Sequence, residues 1–443
     1  MTALSRATAR LPAPPVRAVH LGLGAFHRAH QAWYTAAVSD DWGIAAFSGR
    51  SPDAAEVLAR QDGLYTLVER DTDSDRTSVV ASIAEAVDGA RTDRLTELVA
   101  AESVALITLT ITEAGYRLLP DGTPDAADPV MAADLAGEAP RSTLGRLVQA
   151  LDARRRRGAP IAVVPCDNLP ANGAFVRTGL LALAETRDPA LAVWIDENVS
   201  FVSTSVDRIT PRLSAADRDA AGRLGQWTDA APVVTEPFSD WILSGAFPSG
   251  RPPWEAAGAR FVGEITPFEH RKLWLLNGAH SLLAYLGRVR GFDVVSDAIA
   301  DQVCRSAVLE FWAEARRTLA DESLGLDDYC SALLRRFENP RIRHELSQIG
   351  LDGATKLRLR VVPTARAERA AGRGARGAAI PIAAWVAAIR GGRYGADSES
   401  AAIDRASGDV RALVRILDED LADDLGFITT ITVELSTMHK EQP

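Results

Sequence analysis

"VRAVHLGLGAFHRAHQAWYTAAV", residues 16–38, decides how the rest of the chain is read. Val16 to Leu21 has the apolar character of a short buried strand. Gly22 and Gly24 follow as a glycine turn, and a helical run continues through Val38. A GxG turn between strand and helix suits a bound dinucleotide. The first glycine permits the tight turn, and the second lets a pyrophosphate approach the backbone at a helix N-terminus. The third glycine of GxGxxG is absent, and His27 stands in its place. Glycine turns also end ordinary strands, so the neighbouring segments have to carry part of the argument.

They alternate. "WGIAAFSGR" (42–50) predicts a second strand and "ALITLTITEAGY" (105–116) a long later one. "PDAAEVLARQ" (52–61) and "TDRLTELVAAE" (92–102) are helical in pattern. Strand and helix in alternation predict a parallel α/β sheet of Rossmann type. "LVQALDARRRRGAP" (147–160) ends a helix on basic residues and Gly158, which predicts a solvated helix end that complements the dipole. "APIAVVPCDNLPANG" (159–173) and "SFVSTSVDRITP" (200–211) each predict a strand running into a loop. Beyond Thr266 helical periodicity takes over, at 269–290, 297–320, 327–337, 378–391 and 408–421. The expected organisation is therefore an α/β unit over 1–265 and a mainly α-helical one over 266–443. "TARAERAAGRGARGAAI" (364–380) is expected to be a helix end with an exposed loop.

Composition narrows the function classes. The 443 residues are 47% hydrophobic, enough for a large core, and carry a formal net charge of -10. A negative chain is a poor nucleic-acid binder, so no nucleic-acid partner is expected. Cys166, Cys304 and Cys330 form no CxxC pair, which points to a reducing compartment and to no zinc-ligand spacing. The N-terminus lacks an apolar signal region before its prolines, and no uncharged run is long enough for a bilayer. The expectation is a cytoplasmic protein with no membrane partner and no metal, acting as a monomer or small homo-oligomer.

The second half holds an anomaly. "KLWLLNGAHSLLAYLG" (272–287) is a hydrophobic helix containing Lys272, Asn277 and His280. On an α-helix Asn277 lies about 140° from Lys272 and His280 about 80°. One broad face can carry all three, with Leu275, Leu282, Leu283 and Leu286 packed around them. Each alone reads more simply as a satisfied core group, or as a lysine snorkelling to water. Together they suit alcohol oxidation. A lysine whose pKa is lowered by burial can exchange the hydroxyl proton, while amide and imidazole groups stabilise the alkoxide. Asp167 and Asn168, and likewise Asp207 and Arg208, sit at predicted strand ends, where open α/β sheets bind ligands. Asx-turns and a structural Asp–Arg pair are the simpler accounts of those positions. After the second strand, Asp53 could bind the ribose hydroxyls of NAD, and Arg50 could accommodate the extra phosphate of NADP. Asp53 could equally be a helix N-terminal acid behind Ser51 and Pro52.

Seven segments in order resemble the mannitol dehydrogenase family of long-chain polyol and aldonate dehydrogenases. They are "HLGLGAFHRAHQAWYT", "QDGLYTLVERD", "LTITEAGY", "CDNLPANG", "VDRITP", "EPFSDWIL" and "KLWLLNGAHSLLAYLG", and the likeness runs from about residue 17 to past 390. The resemblance implies a Rossmann-type dinucleotide-binding domain over 1–265, a mainly α-helical substrate and catalytic domain over 266–443, a nicotinamide cofactor, no metal, and a sugar alcohol, ketose or uronate as substrate. It implies Lys272 as catalytic acid–base, Glu269 as its proton relay, and Asn168 with Asn277 as the oxyanion-stabilising pair. His280 and Asp207 would contact substrate, as would Lys356 and Gln348 in "SQIGLDGATKLRLR" (347–360). Gly22, Gly24, Ala25, Phe26, Asp53 and Thr110 would hold the cofactor. "RSPD" (50–53) tilts that cofactor to NAD, with NADP use still open because Pro52 replaces a second acid. Two features depart from the family pattern. Gln348 stands where mannitol dehydrogenases can carry arginine and fructuronate reductases glutamine. Trp274 fills a slot that is often basic or small.

Overall fold

A computed structural model of the protein describes residues 2–440 and divides into two compact units, Met1–Ile265 and Thr266–Pro443. In the first unit we number the strands β1 Val16–Leu21, β2 Gly43–Phe47, β3 Tyr65–Arg70, β4 Asp75–Val80, β5 Ile83–Val87, β6 Leu106–Leu109, β7 Ile161–Pro165, β8 Val199–Phe201, β9 Ser203–Asp207, β10 Val233–Thr235 and β11 Asp240–Ser244. Six of them form one sheet in the order β5-β2-β1-β6-β7-β8, parallel throughout.

Alternate residues of these strands go to opposite faces. Val19, Leu21, Phe47, Ile107 and Leu109 pack on one side with Leu95, Leu147 and Leu180 from the helices. Ala18, Ile44, Ala46 and Leu106 pack on the other, with Tyr34, Trp241 and Trp254. Both faces are covered, so the strands are continuously apolar. The order changes direction at β1, between β2 and β6, which puts the glycine turn at the switch point of the sheet.

Several expectations need correction. The strand predicted over 105–116 ends at Leu109, and Thr112 has φ 67° before the short helix Glu113–Tyr116. The Asp167 carboxylate accepts the N–H groups of Ile111 (3.1 Å) and Thr112 (2.8 Å) and the Tyr116 hydroxyl (2.6 Å), which turns the chain out of the sheet. The strand expected near 200–207 is two. β8 belongs to the main sheet, whereas β9 leaves it to pair antiparallel with β11. The "ARRRRG" run is only partly solvated. Arg154 is fully buried and donates to the carbonyls of Val99, Ala101, Ala159 and Pro160. Guanidinium geometry lets one side chain satisfy four carbonyls, from the end of the helix Thr92–Ala100 and from the loops, which helix periodicity does not reveal.

The second unit is helical. Helices Thr266–Arg271, Gly278–Val289, Val295–Ala300, Gln302–Thr318, Leu326–Phe337 and Arg376–Arg390 fall on or near the predicted segments, whereas Gly353–Arg360 lies outside them and Val362–Ala370 covers the start of the stretch expected to be a helix end and loop. The helix expected over 297–320 is interrupted at Asp301, whose carboxylate caps Val303 and Cys304. That expected over 408–421 is interrupted at Asp418, which caps Leu421. The helix Leu425–Lys440 was not expected; it buries Phe427, Ile431 and Leu435 and packs against Arg376–Arg390. Glu368, in the Ala/Gly/Arg-rich stretch, is buried and bound by Arg317 and Arg373, so this segment is tied down.

Burial of imidazoles makes the first unit acid-sensitive. His20 is pushed down to about 3 by burial, and His27 well below its usual value by burial and by His20 beside it. Unfolded, both titrate near 6.5, so below that pH the unfolded state binds more protons. Stability is full above pH 6.5 and falls as pH drops, by about 1.4 kcal/mol per pH unit for each histidine. Calorimetry at pH 7.5, 6.0 and 5.0 should show a progressively lower Tm; a flat profile would contradict the burial of neutral imidazoles.

Candidate active site

The first unit builds a dinucleotide cradle. The N–H groups of Gly22 and Leu23 both donate to the Phe47 carbonyl, at 3.0 and 2.8 Å. Gly22 has φ 106°, and a Cβ there would lie 2.1 Å from the Thr110 carbonyl oxygen. Only glycine fits. Gly24 differs: a Cβ would meet only the Gly22 oxygen at 3.6 Å, so the space above it is open. Gly24 caps the helix Ala25–Ala29, and the first-turn N–H groups of Ala25 and Phe26 lack intrahelical partners, as at every helix start. This open backbone cradle fits a pyrophosphate. Thr110 supports the turn from below, since its hydroxyl donates to the Gly22 carbonyl at 2.9 Å and lies 3.0 Å from His20 Nε2. His27, in the third-glycine slot, stacks on His20 with ring centroids 3.3 Å apart. The close packing that glycine usually permits is here mediated by an imidazole stack between helix and sheet. Asp53 begins the helix Asp53–Ala59 and is exposed, its N–H bonded to the Ser51 hydroxyl at 3.2 Å.

Asn168 is exposed in the loop after β7. The loop is fixed beneath it by Asp167 and by buried Asn172, which donates to the carbonyls of Asp167 (3.0 Å) and Thr204 (2.8 Å). Asp167 is a structural knot, and burial raises its pKa. Asp207 ends β9 and is half-buried. The adjoining Arg208 is buried against Glu69 at 2.6 Å and donates to the Ala29 carbonyl at 2.6 Å. Its ion-pair partner is therefore Glu69 on β3, and its bond to Ala29 ties the Asp207 strand end to the helix after the glycine turn.

In the second unit Lys272–Asn277 is a π-helix between two α-helices. Gly278 N–H donates to the carbonyl of Leu273, five residues back. A π-turn is rare and is often found at functional sites. Its consequence here is geometric. Lys272 and Asn277 are five residues apart, so the wider turn carries them toward one face rather than the roughly 140° apart expected on an α-helix. Both are half-buried. Glu269 lies three residues before Lys272, on the same side of the preceding turn.

His280 follows in the regular helix. It is buried, and its Nε2 has no hydrogen-bond partner. Its ring packs against Phe337 and His344, at 5.0 and 4.9 Å between centroids. Burial, then His344, Arg336 and Arg360, hold its pKa well below the usual value, so it is neutral. Lys356 donates to the Ile349 carbonyl at 3.0 Å, which brings it beside Gln348, exposed on the neighbouring turn Leu346–Ile349. Burial and Arg360 lower the Lys356 pKa. Trp274 stacks on His270 one turn away, with centroids at 4.5 Å. Arg360, Trp312 and His344 were missed by sequence reading. Only Arg360 left a trace, four residues after Lys356 on the same helix face. Among the described residues, no cluster of three or more His, Cys, Asp or Glu is placed to hold a metal ion. No described helix is long and apolar enough to cross a membrane.

Comparison with known proteins matches the description "Mannitol dehydrogenase Rossmann domain" over residues 16–256 and "Mannitol dehydrogenase C-terminal domain" over 264–438. The chain belongs to the mannitol dehydrogenase family. It is 37% identical over 407 residues to D-mannonate oxidoreductase of Escherichia coli (strain K12), covering 88% of this chain and 82% of that protein. A solved structure of D-sorbitol dehydrogenase in substrate-free form superposes with TM-score 0.91 at 29% identity, over 99% of both chains. The Pseudomonas fluorescens mannitol 2-dehydrogenase ternary complex with NAD and D-mannitol superposes with TM-score 0.79 at 33% identity, over 99% of this chain and 97% of that one. The chain is thus a secondary-alcohol oxidoreductase with a Rossmann domain for a nicotinamide cofactor, and the family resemblance of its seven motifs is borne out.

Proposed function

We propose that the protein moves a hydride between NAD(H) and C2 of a linear polyol/ketose pair of the D-mannitol/D-fructose type, without a metal. The observation that supports this reading is the π-turn over Lys272–Asn277, whose wider winding brings the lysine and the amide toward one face. The bound nicotinamide supplies the hydride acceptor. Lys272 takes the hydroxyl proton during oxidation and returns it during reduction, with Glu269 passing it to solvent. The Asn277 and Asn168 amides donate hydrogen bonds to the reacting oxygen and stabilise its alkoxide form. Neutral His280 offers Nε2 to a substrate hydroxyl, and Asp207, Gln348 and Lys356 fix the rest of the sugar chain. Gly22 shapes the cofactor turn, and Thr110 braces it. Gly24, Ala25 and Phe26 present backbone to the pyrophosphate, and Asp53 accepts the ribose hydroxyls, which favours NAD over NADP. Three buried free cysteines suit the cytoplasm. Small sugars are the partners, with neither nucleic acid nor membrane required.

A second reading, reduction of a ketouronate to an aldonate, is favoured by the Lys356 ammonium beside Gln348 and by the likeness to D-mannonate oxidoreductase. Steady-state rates with fructose and with fructuronate, each with NADH and NADPH, decide between them. Faster reduction of fructose with NADH supports the polyol reading; preference for fructuronate moves the assignment to the aldonate. Turnover should survive a chelator. No turnover on either substrate, or on a wider panel of hexitols, pentitols and tagaturonate, removes both readings.

A further inference from the structure

The π-turn needs support, because the α register is the ordinary state of a helix and would carry Asn277 away from Lys272. Two side chains from other helices bond to carbonyls of this turn. Trp312, 2% exposed on Gln302–Thr318, donates its indole N–H to the Leu275 carbonyl at 2.8 Å. Arg360, ending Gly353–Arg360, donates to the Asn277 carbonyl at 3.3 Å and to the Ser281 hydroxyl at 3.1 Å. Gly278 makes the approach possible: a Cβ there would lie 2.5 Å from the ring of Phe311, the neighbour of Trp312. The indole bond falls inside the turn, and the guanidinium bonds grip its last residue and the first α-turn after it.

We propose that Trp312 and Arg360 are positioning residues that hold Lys272–Asn277 in the π register, and so keep the lysine and the amide on one face. The proposal rests on the catalytic roles given to Lys272 and Asn277 above. Neither positioning residue exchanges a proton or touches the reacting atoms in this account. Their effect is on the separation of two groups that must reach one oxygen.

Full-length Trp312→Phe, Arg360→Met and Arg360→Lys variants test it, with Lys272→Ala measured beside them. Trp312→Phe and Arg360→Met should each lower kcat roughly 10- to 100-fold, the scale of a small misplacement of catalytic groups. NADH affinity, read by fluorescence titration, should hold. The pH profile of kcat should shift, and Arg360→Lys should recover part of the loss. Unchanged kcat and pH profile in folded variants would overturn the proposal. So would a kcat loss that merely follows a falling Tm with the pH profile unmoved. If Trp312→Phe does not fold, the Arg360 pair decides by the same criteria. Lys272→Ala separates the two layers. If it loses turnover while the Trp312 and Arg360 variants do not, the clamp alone is wrong. If it keeps turnover, the catalytic reading falls and the clamp with it.

Discussion

Lys272→Ala should bind NADH as the parent protein does and lose turnover by roughly 10²- to 10⁴-fold, the usual contribution of a positioned acid–base group. That corresponds to about 3 to 5 kcal/mol of transition-state stabilisation. The two outcomes separate because the residues belong to different parts of the chain. The cofactor turn is built in the first unit, from Gly22, Gly24 and the end of β2, whereas Lys272 opens the π-turn in the second. Alanine is compatible with a helix and removes only the ammonium and its stem. The measurement is a pair: NADH fluorescence titration and initial rate in both directions. Retained turnover would sink the assignment of Lys272, and lost NADH binding would show damage beyond it.

The second large effect is a contrast between two glycines. Gly22→Ala puts a methyl 2.1 Å from the Thr110 carbonyl oxygen at a backbone φ of 106°. Left-handed strain and overpacking together cost on the order of 2 to 4 kcal/mol. For a unit the size of Met1–Ile265 that lowers Tm by roughly 4 to 7 °C, whether or not cofactor is present. Gly24→Ala meets nothing nearer than 3.6 Å, and its φ of -134° suits any residue. The cofactor-free Tm should stay nearly unchanged, while NADH affinity falls about tenfold or more as the methyl fills the pyrophosphate space. Thermal scans with and without NADH read both effects. Equal behaviour of the two variants would contradict separate roles for the two glycines.

Much of the candidate site was legible in the linear chain because its chemistry is local. Lys272, Asn277 and His280 stand out as polar residues in an apolar helix. Gly22 and Gly24 stand out between a strand and a helix. What was misread involved partners far away in the chain. The strand at β6 stops early because Asp167, more than 50 residues on, takes the N–H groups of Ile111 and Thr112 just past its end. Arg154 resembles one more surface arginine until the helix end at Val99 and the loop at Pro160 close over it. Asp207 and Arg208 suggest a local pair, yet the arginine reaches Glu69. Trp274 looked like an odd core residue, and its explanation is local after all, a stack on His270 one turn earlier.

The sequence by itself determined the α/β then helical order and the polar groups available for alcohol chemistry, because periodicity and residue type are properties of short segments. Only tertiary structure decided how those groups face one another. Helical projection separates Lys272 from Asn277 by about 140°. The π-turn brings them toward one face, with its carbonyls bonded by Trp312 and Arg360 from other helices. One extra residue in a helical turn changes the face of everything beyond it, and the contacts that favour that residue lie outside the segment.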